Sequence, residues 1–323
     1  MNDSTNGFGI WDELENYTEP KQEEKDALIK KLQSGDFTLS YSSLKAFSVS
    51  PRNFISYKLK EYKETPAMIM GNVVHCLVLE PDIYKDLYYE APVVNAATVE
   101  GKKAWAELYT KLTEKEFPLN QKGTPIIPKL GDLIAMIKEE TTERDEKGKT
   151  TKRGITVIPG TQAEEAKFRA RMLLQNGATR WVINQITQTE VDTEFDICGV
   201  KFKGRIDGLG PGLIADIKNI PDASIHPAVG QIYRGKMYWQ AYCYDIATGG
   251  DSDCYILAVD GNGETSVHRF QDRHKEKAEV EMIEYVQQFL DCVERSHFDP
   301  AIWDQSQDYW LRSENNPYGI NNL

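Results

Sequence analysis

Two aspartates and a lysine, Asp207, Asp216 and Lys218, stand in one short stretch, Gly-Arg-Ile-Asp-Gly-Leu-Gly-Pro-Gly-Leu-Ile-Ala-Asp-Ile-Lys, over residues 204–218. Carboxylates are hard oxygen donors that suit Mg²⁺. A bound ion of that kind activates a water and stabilises a leaving oxygen. A lysine beside it orients the water or offsets charge developing on a phosphate. The chemistry on offer is metal-assisted hydrolysis of a phosphodiester. A lone Asp-x-Lys is more often an ordinary same-face pair on a surface hairpin, so the elements around it must decide.

Those elements read as two strands and a turn. Val200, Phe202, Gly204 and Ile206 alternate with Lys201, Lys203, Arg205 and Asp207, which predicts a half-buried strand with Asp207 on its polar face. Gly208-Leu-Gly-Pro-Gly212 turns the chain. In the second strand Leu213, Ala215 and Ile217 share one face, and Ile214, Asp216 and Lys218 share the other. Residues 66–79 predict an apolar helix whose polar exceptions are Asn72 and His75; such a histidine is usually a hydrogen-bonded core residue. A helix over about 231–247 places Gln240 and Tyr244 on one face, where they can orient the lysine or contact a DNA phosphate.

Upstream, Ser40 or Ser42 caps a short helix through Leu44 and Phe47, and Pro51 opens another bearing Arg52, Lys58 and Lys60. Hydroxyls and amides at such helix starts can receive a phosphate, although capping alone explains the serines. Residues 98–190 read as helical and charged, with exposed breaks near 120–128 and 139–153. The helix from Ala163 to Gln175 is expected to bury Phe168, Met172 and Leu173. A β-prone run, Cys254 to Val259, and its partner, Ser266 to Phe270, precede an amphipathic helix from Arg273 to Ser296.

Four motifs in this order, Gly71-Asn-Val-Val-His75, Gly204-Arg-Ile-Asp207, Asp216-Ile-Lys218 and Gln240-Ala-Tyr-Cys-Tyr244, resemble the PD-(D/E)xK nuclease superfamily. They resemble in particular its branch of RecB-like and phage or prophage RecE-like (exonuclease VIII-like) exonucleases, and the opening Leu39-Ser-Tyr-Ser-Ser-Leu44 of this chain also looks like the start of RecE-like domains. The resemblance implies an α/β, restriction-endonuclease-like core: a central mixed β-sheet flanked by helices, with helical additions. It implies that His75, Asp207, Asp216 and the main-chain carbonyl of Ile217 bind metal, that Lys218 is catalytic, and that Gln240 and Tyr244 assist. Glu194 matches a glutamate that relatives carry before the hairpin, giving support to the metal ligands or standing as an exposed edge charge. Ser40, Ser42, Ser43, Arg52 and Arg205 are candidate phosphate contacts. The activity implied is a Mg²⁺-dependent exonuclease on ends of linear double-stranded DNA, with Mn²⁺ as substitute. It would run 5′-to-3′, leave 3′ overhangs for a single-strand annealing recombination protein, and act as a trimeric or tetrameric ring in a bacterial or phage-infected cytoplasm. An endonuclease, or a silent DNA-binding or assembly protein on the same fold, stays open as the alternative.

Composition sets the outer bounds. The chain has 323 residues and 40% hydrophobic content, enough for a sizeable core. It divides into an arm or added helix over 1–36, an exonuclease domain over 37–298 with an insertion at about 98–160, and an aromatic tail over 299–323. No run of eighteen apolar residues occurs, so no membrane span is expected. The five cysteines lack paired spacing, arguing against a disulfide framework or a zinc site. The tight C-terminal cysteine group with which some members of the resembled branch hold an iron–sulfur cluster is missing, so no such cluster is expected. There is no P-loop, so no nucleotide cofactor or ATP motor is expected. A net charge of −12 counts against nonspecific DNA binding by the whole surface but leaves room for a local basic channel.

Overall fold

The computed structural model describes residues 20–60, 64–146, 148 and 150–298. The first helix, α1 (Gln22–Gln33), lies on the long last helix and buries Leu32. Two short helices follow, α2 (Tyr41–Val49) and α3 (Pro51–Leu59). Ser40 caps α2 by accepting the Ser43 N–H, and Ser50 caps α3 ahead of Pro51. The apolar helix α4 (Pro66–Leu79) starts behind Thr65 and ends at Glu80-Pro81, as the pre-proline restriction predicts.

A lobe then leaves the main body: α5 (Tyr84–Leu87), β1 (Tyr88–Glu90), α6 (Val99–Thr113), α7 (Leu130–Glu140), the hairpin β2 (Glu143–Arg144) with β3 (Thr150–Lys152), and β4 (Thr156–Ile158). It encloses a small core of its own around Trp105, Leu133 and Ile137. Parallel pairing of β1 with β4 closes it. Helices α8 (Gly160–Gln175) and α9 (Gly177–Ile183) return to the sheet.

Five strands form that sheet, in the order β5 (Gln188–Ile197), β6 (Val200–Gly210), β7 (Leu213–Asn219), β8 (Asp253–Val259) and β9 (Thr265–Arg269). Only β7 and β8 are parallel, and α10 (Ile225–Arg234) and α11 (Met237–Ala247) cross between them. The last helix is α12 (Asp272–Arg295). This is the mixed sheet flanked by helices that the motifs imply.

Each face of the sheet has its own core. Leu213, Ala215 and Ile217 pack with Leu257 and Val259 against α4 and α8. Phe202, Ile206, Ile214 and Ile256 pack against α2, α3, α11 and α12, where Phe47, Phe54 and Phe289 meet edge to face. The period-2 reading of β7 therefore holds: Asp216 and Lys218 extend the row begun by Ile214.

Two helix readings need correction. The single helix expected over 231–247 is broken at Gly235-Lys236, where Lys236 takes a left-handed φ of 51°. Its ammonium lies 3.9 Å from the Trp239 ring centroid and 4.6 Å from that of Tyr285, a cation–π contact that offsets the strain. On α8 the buried row is Ala163, Ala166, Ala170 and Leu173, while Phe168 is exposed and lies over the turn at Gly263. Small residues let α8 sit closely on α4, a choice that hydrophobicity alone does not reveal. All five cysteines are free and four are buried. Among the described residues no helix is long and apolar enough to cross a membrane. Residues 1–19 of the expected arm, the tail over 299–323, and Lys63, Lys147 and Lys149 lie outside the described residues. These lysines belong to two basic runs, Arg52, Lys58, Lys60 and Lys63, and Lys147, Lys149, Lys152 and Arg153, that are candidates for a local basic channel.

Candidate metal centre and active site

The site forms where β6 and β7 part. Their antiparallel ladder runs from Gly210↔Leu213 to Gly208↔Ala215 and stops. One step further along β6, Asp207 Oδ2 accepts the Ile217 N–H at 3.1 Å, so a side chain replaces the next ladder bond. Opposite, Glu190 on β5 has a left-handed φ of 51°. At this point the alternation of β6 slips by one: Ile206 faces the core with Ile214, yet a Cβ on Gly208 would strike Ile186 on the other face. The alternation predicted for β6 thus holds to Ile206 and reverses beyond it. Asp207 sits at the reversal and is aimed at α4.

His75 meets it there. Its Nε2 lies 2.6 Å from the Ile217 carbonyl, which requires the proton on that nitrogen, and its Nδ1 lies 3.4 Å from Asp207 Oδ2. Ligand atoms of His75, Glu190 and Asp207 all lie within 4.8 Å of one another. On the far side of Asp207, Asp216 is 4% exposed. Its Oδ1 accepts from Lys218 Nζ at 2.8 Å and from Gln240 Nε2 at 2.9 Å. Its buried Oδ2 lies 2.7 Å from the same ammonium but makes no well-directed hydrogen bond. Gln240 also donates to Tyr244 Oη at 3.0 Å, and Tyr244 donates to the Arg205 carbonyl at 2.6 Å. A Cβ on Gly204 would come within 2.8 Å of the Tyr244 ring, so the glycine gives this tyrosine its place against the strand.

The electrostatics describe a cluster short of positive charge. Burial, and then the charge of Asp216, push the Asp207 carboxyl up to about 7 against the pull of His75, Lys218 and the Ile217 N–H. Burial pulls Lys218 down, but Asp216 and Asp207 outweigh it and hold the ammonium above its ordinary range. Burial and Asp216 raise the Tyr244 phenol. A divalent cation fits here on two grounds: a buried carboxylate oxygen without a hydrogen bond, and a donor set of carboxylate oxygens with one imidazole nitrogen. Asp207, Asp216, Glu190 and His75 are the side chains that would hold it. The Ile217 carbonyl, a ligand by resemblance, accepts from His75 with one lone pair and keeps its second free for a cation.

The remaining candidates fall in different places. Glu194 is exposed and lies opposite Lys203 in the β5–β6 register, outside the His75–Asp207 cluster; Glu190 takes the position beside the histidine. Ser43 is fully buried, its hydroxyl spent on the Ser40 carbonyl, and so is withdrawn from phosphate. Ser40, Ser42 and Arg205 line a groove next to Lys218, whereas Arg52 is not among its lining residues. Arg205 also bonds Asp192 and lies 3.6 Å from Glu190. Glu190, Lys45 and Lys203 escaped the sequence reading. A left-handed residue inside a strand breaks the alternation by which strand residues are assigned to faces, Lys203 reads only as part of the polar face of its strand, and Lys45 belongs to no motif.

The model of a family described as "PDDEXK-like domain of unknown function (DUF3799)" matches residues 40–295. The chain belongs to this family. Its PDDEXK-like domain thus spans the α2 cap, the β6–β7 hairpin and α11, and it sits within the PD-(D/E)xK nuclease superfamily. A solved structure from Eubacterium rectale, described as "Putative exonuclease", is similar to this PDDEXK-like protein at 12% identity and a TM-score of 0.48, over 87% of this chain and 88% of the other. A search of curated proteins finds no match.

Proposed function

We propose that this PDDEXK-like protein is a divalent-metal-dependent exodeoxyribonuclease that hydrolyses phosphodiester bonds at ends of linear double-stranded DNA. One observation carries the reading: Asp207, Asp216 and Lys218 converge where β6 and β7 part, with Gln240 holding Asp216 from α11. When bound, the metal supplies Lewis acidity and an activated water. The chain's own residues do the rest. Lys218 keeps its proton and faces the phosphate as a fixed cation. Gln240 and Tyr244 hold Asp216 and the β6 backbone in register, and His75 fixes the Ile217 carbonyl.

The resemblance to RecE-like exonucleases supports further parts of the proposal: 5′-to-3′ polarity, 3′ overhangs passed to a single-strand annealing protein, and a trimeric or tetrameric ring that replaces affinity with topology. The test is digestion of a linear duplex labelled at either the 5′ or the 3′ end, beside a covalently closed circle. Progressive loss from 5′ ends in Mg²⁺ or Mn²⁺, with the circle intact, is expected. Ca²⁺, with its looser coordination, should bind without supporting cleavage. Cutting of the closed circle would establish an endonuclease instead.

A further inference from the structure

Two cavities flank the metal ligands, and they differ in charge. The larger, about 860 Å³, pairs Lys138, Arg144 and Arg153 with Glu64, Glu139 and Glu190 across its walls. The smaller, about 450 Å³, is lined by Ser42, Lys45, Lys203, Arg205, Lys218 and Gln240 with neutral neighbours, and no carboxylate is among its lining residues. In a protein of net charge −12, a groove with four cations and no acid in its lining departs from the surface average in the direction an anion requires.

Two of those cations are not held in ion pairs, although Glu194 lies opposite Lys203 in the β5–β6 register. Lys45, on α2, is half-buried with its ammonium 5.8 Å from the Tyr41 ring centroid, and Lys203 is exposed on β6; among the described residues neither makes an ion pair. Their spacing is fixed by the backbone. Leu39 bridges to β6 through Leu39 N–H to Lys201 O and Lys203 N–H to Leu39 O, both 2.9 Å, and α2 begins two residues later. Burial, and then Lys218, pull the Lys45 ammonium below its ordinary range, as expected of a cation waiting for an anion.

We infer that this groove is a second phosphate subsite, in which Lys45 and Lys203, with the Ser42 hydroxyl, hold a phosphodiester of the DNA strand neighbouring the one at Asp216 and Lys218. The contacts are to backbone only, so the subsite positions the strand without reading its bases. This rests on the reading of the site as a DNA nuclease.

The experiment measures binding of the full-length chain to linear duplex DNA in EDTA, across a salt series, so that hydrolysis does not enter. Lys45→Gln and Lys203→Gln should each flatten the slope of log K against log salt by about 0.7 to 0.9, and the double variant by about twice that. Lys45→Arg should keep the wild-type slope, which separates lost charge from lost folding. Lys277→Gln removes the same charge on α12, where the lysine pairs with Glu281 at 3.7 Å; it should leave the slope unchanged. In Mg²⁺ the Gln variants should raise KM several-fold while kcat at saturating DNA stays within about twofold. A double variant with the wild-type slope, or a Lys277→Gln loss as large as that of Lys45→Gln, would overturn the subsite. If the slopes fall as expected but the protein cuts no DNA, the subsite stands and the nuclease reading fails. If DNA is cut normally and the slopes do not move, the subsite alone fails.

Discussion

Asp207 stands between a second buried aspartate, Asp216, and a histidine, and its proton affinity records the conflict. Burial, and then the charge of Asp216, push its carboxyl up to about 7 from an ordinary 3.8. As pH rises from about 4 to about 7, the unfolded chain ionises this group while the fold resists. Its contribution to stability therefore falls across that window, and the penalty is complete above it, with a ceiling of about 4 kcal/mol. Asp207→Asn should stabilise the metal-free protein by about 2 kcal/mol at pH 8 and by almost nothing at pH 4. Urea unfolding in EDTA checks this, and equal gains at both pH values would count against the assignment. Gly204→Ala, which drives a Cβ into the Tyr244 ring, should lower kcat about tenfold by displacing Tyr244 and Gln240 from Asp216. Its KM and its DNA affinity in EDTA should stay near wild type. At this scale the pattern of apolar and polar residues made Asp216 and Lys218 legible as a same-face pair. Glu190 was not legible: its left-handed backbone breaks the alternation on which such counting depends.

The elements were legible where local chemistry fixes them. Ser40, Ser50 and Thr65 each cap a helix, and prolines follow the latter two at the first helical position. They were obscure where tertiary contacts override local preference, as at Lys236, whose ring contacts pay for a helix break, and on α8, where packing chose alanines over Phe168. The serines before α2 offer a direct comparison. Ser40 exchanges hydrogen bonds with Ser43, whereas Ser42 is exposed on the first turn and faces the groove. Ser40→Ala should cost about 1 kcal/mol of stability in urea, and Ser42→Ala less than about 0.5 kcal/mol. Equal costs would show that Ser40 is not the cap that sets the helix start.

Over the whole molecule, charge is separated by location. The chain is acidic overall, a groove lined by four cations and no carboxylate opens on one side of the site, and the cluster of His75, Glu190 and Asp207 lies beside it. The four motifs made this sheet and its flanking helices legible. The lobe with its own core was legible only as an insertion, because its boundaries depend on β1 finding β4 across a long stretch of chain. The central claim is that Asp216 and Lys218 perform metal-dependent hydrolysis, and it is tested most directly by wild type, Asp216→Ala and Lys218→Ala acting on one end-labelled linear duplex, with and without Mg²⁺. Wild type should cut only with the metal, and both variants should remain folded yet fall below roughly one hundredth of its rate. Cleavage without metal, or Asp216→Ala retaining more than roughly one hundredth of wild-type activity under the same conditions, would contradict it.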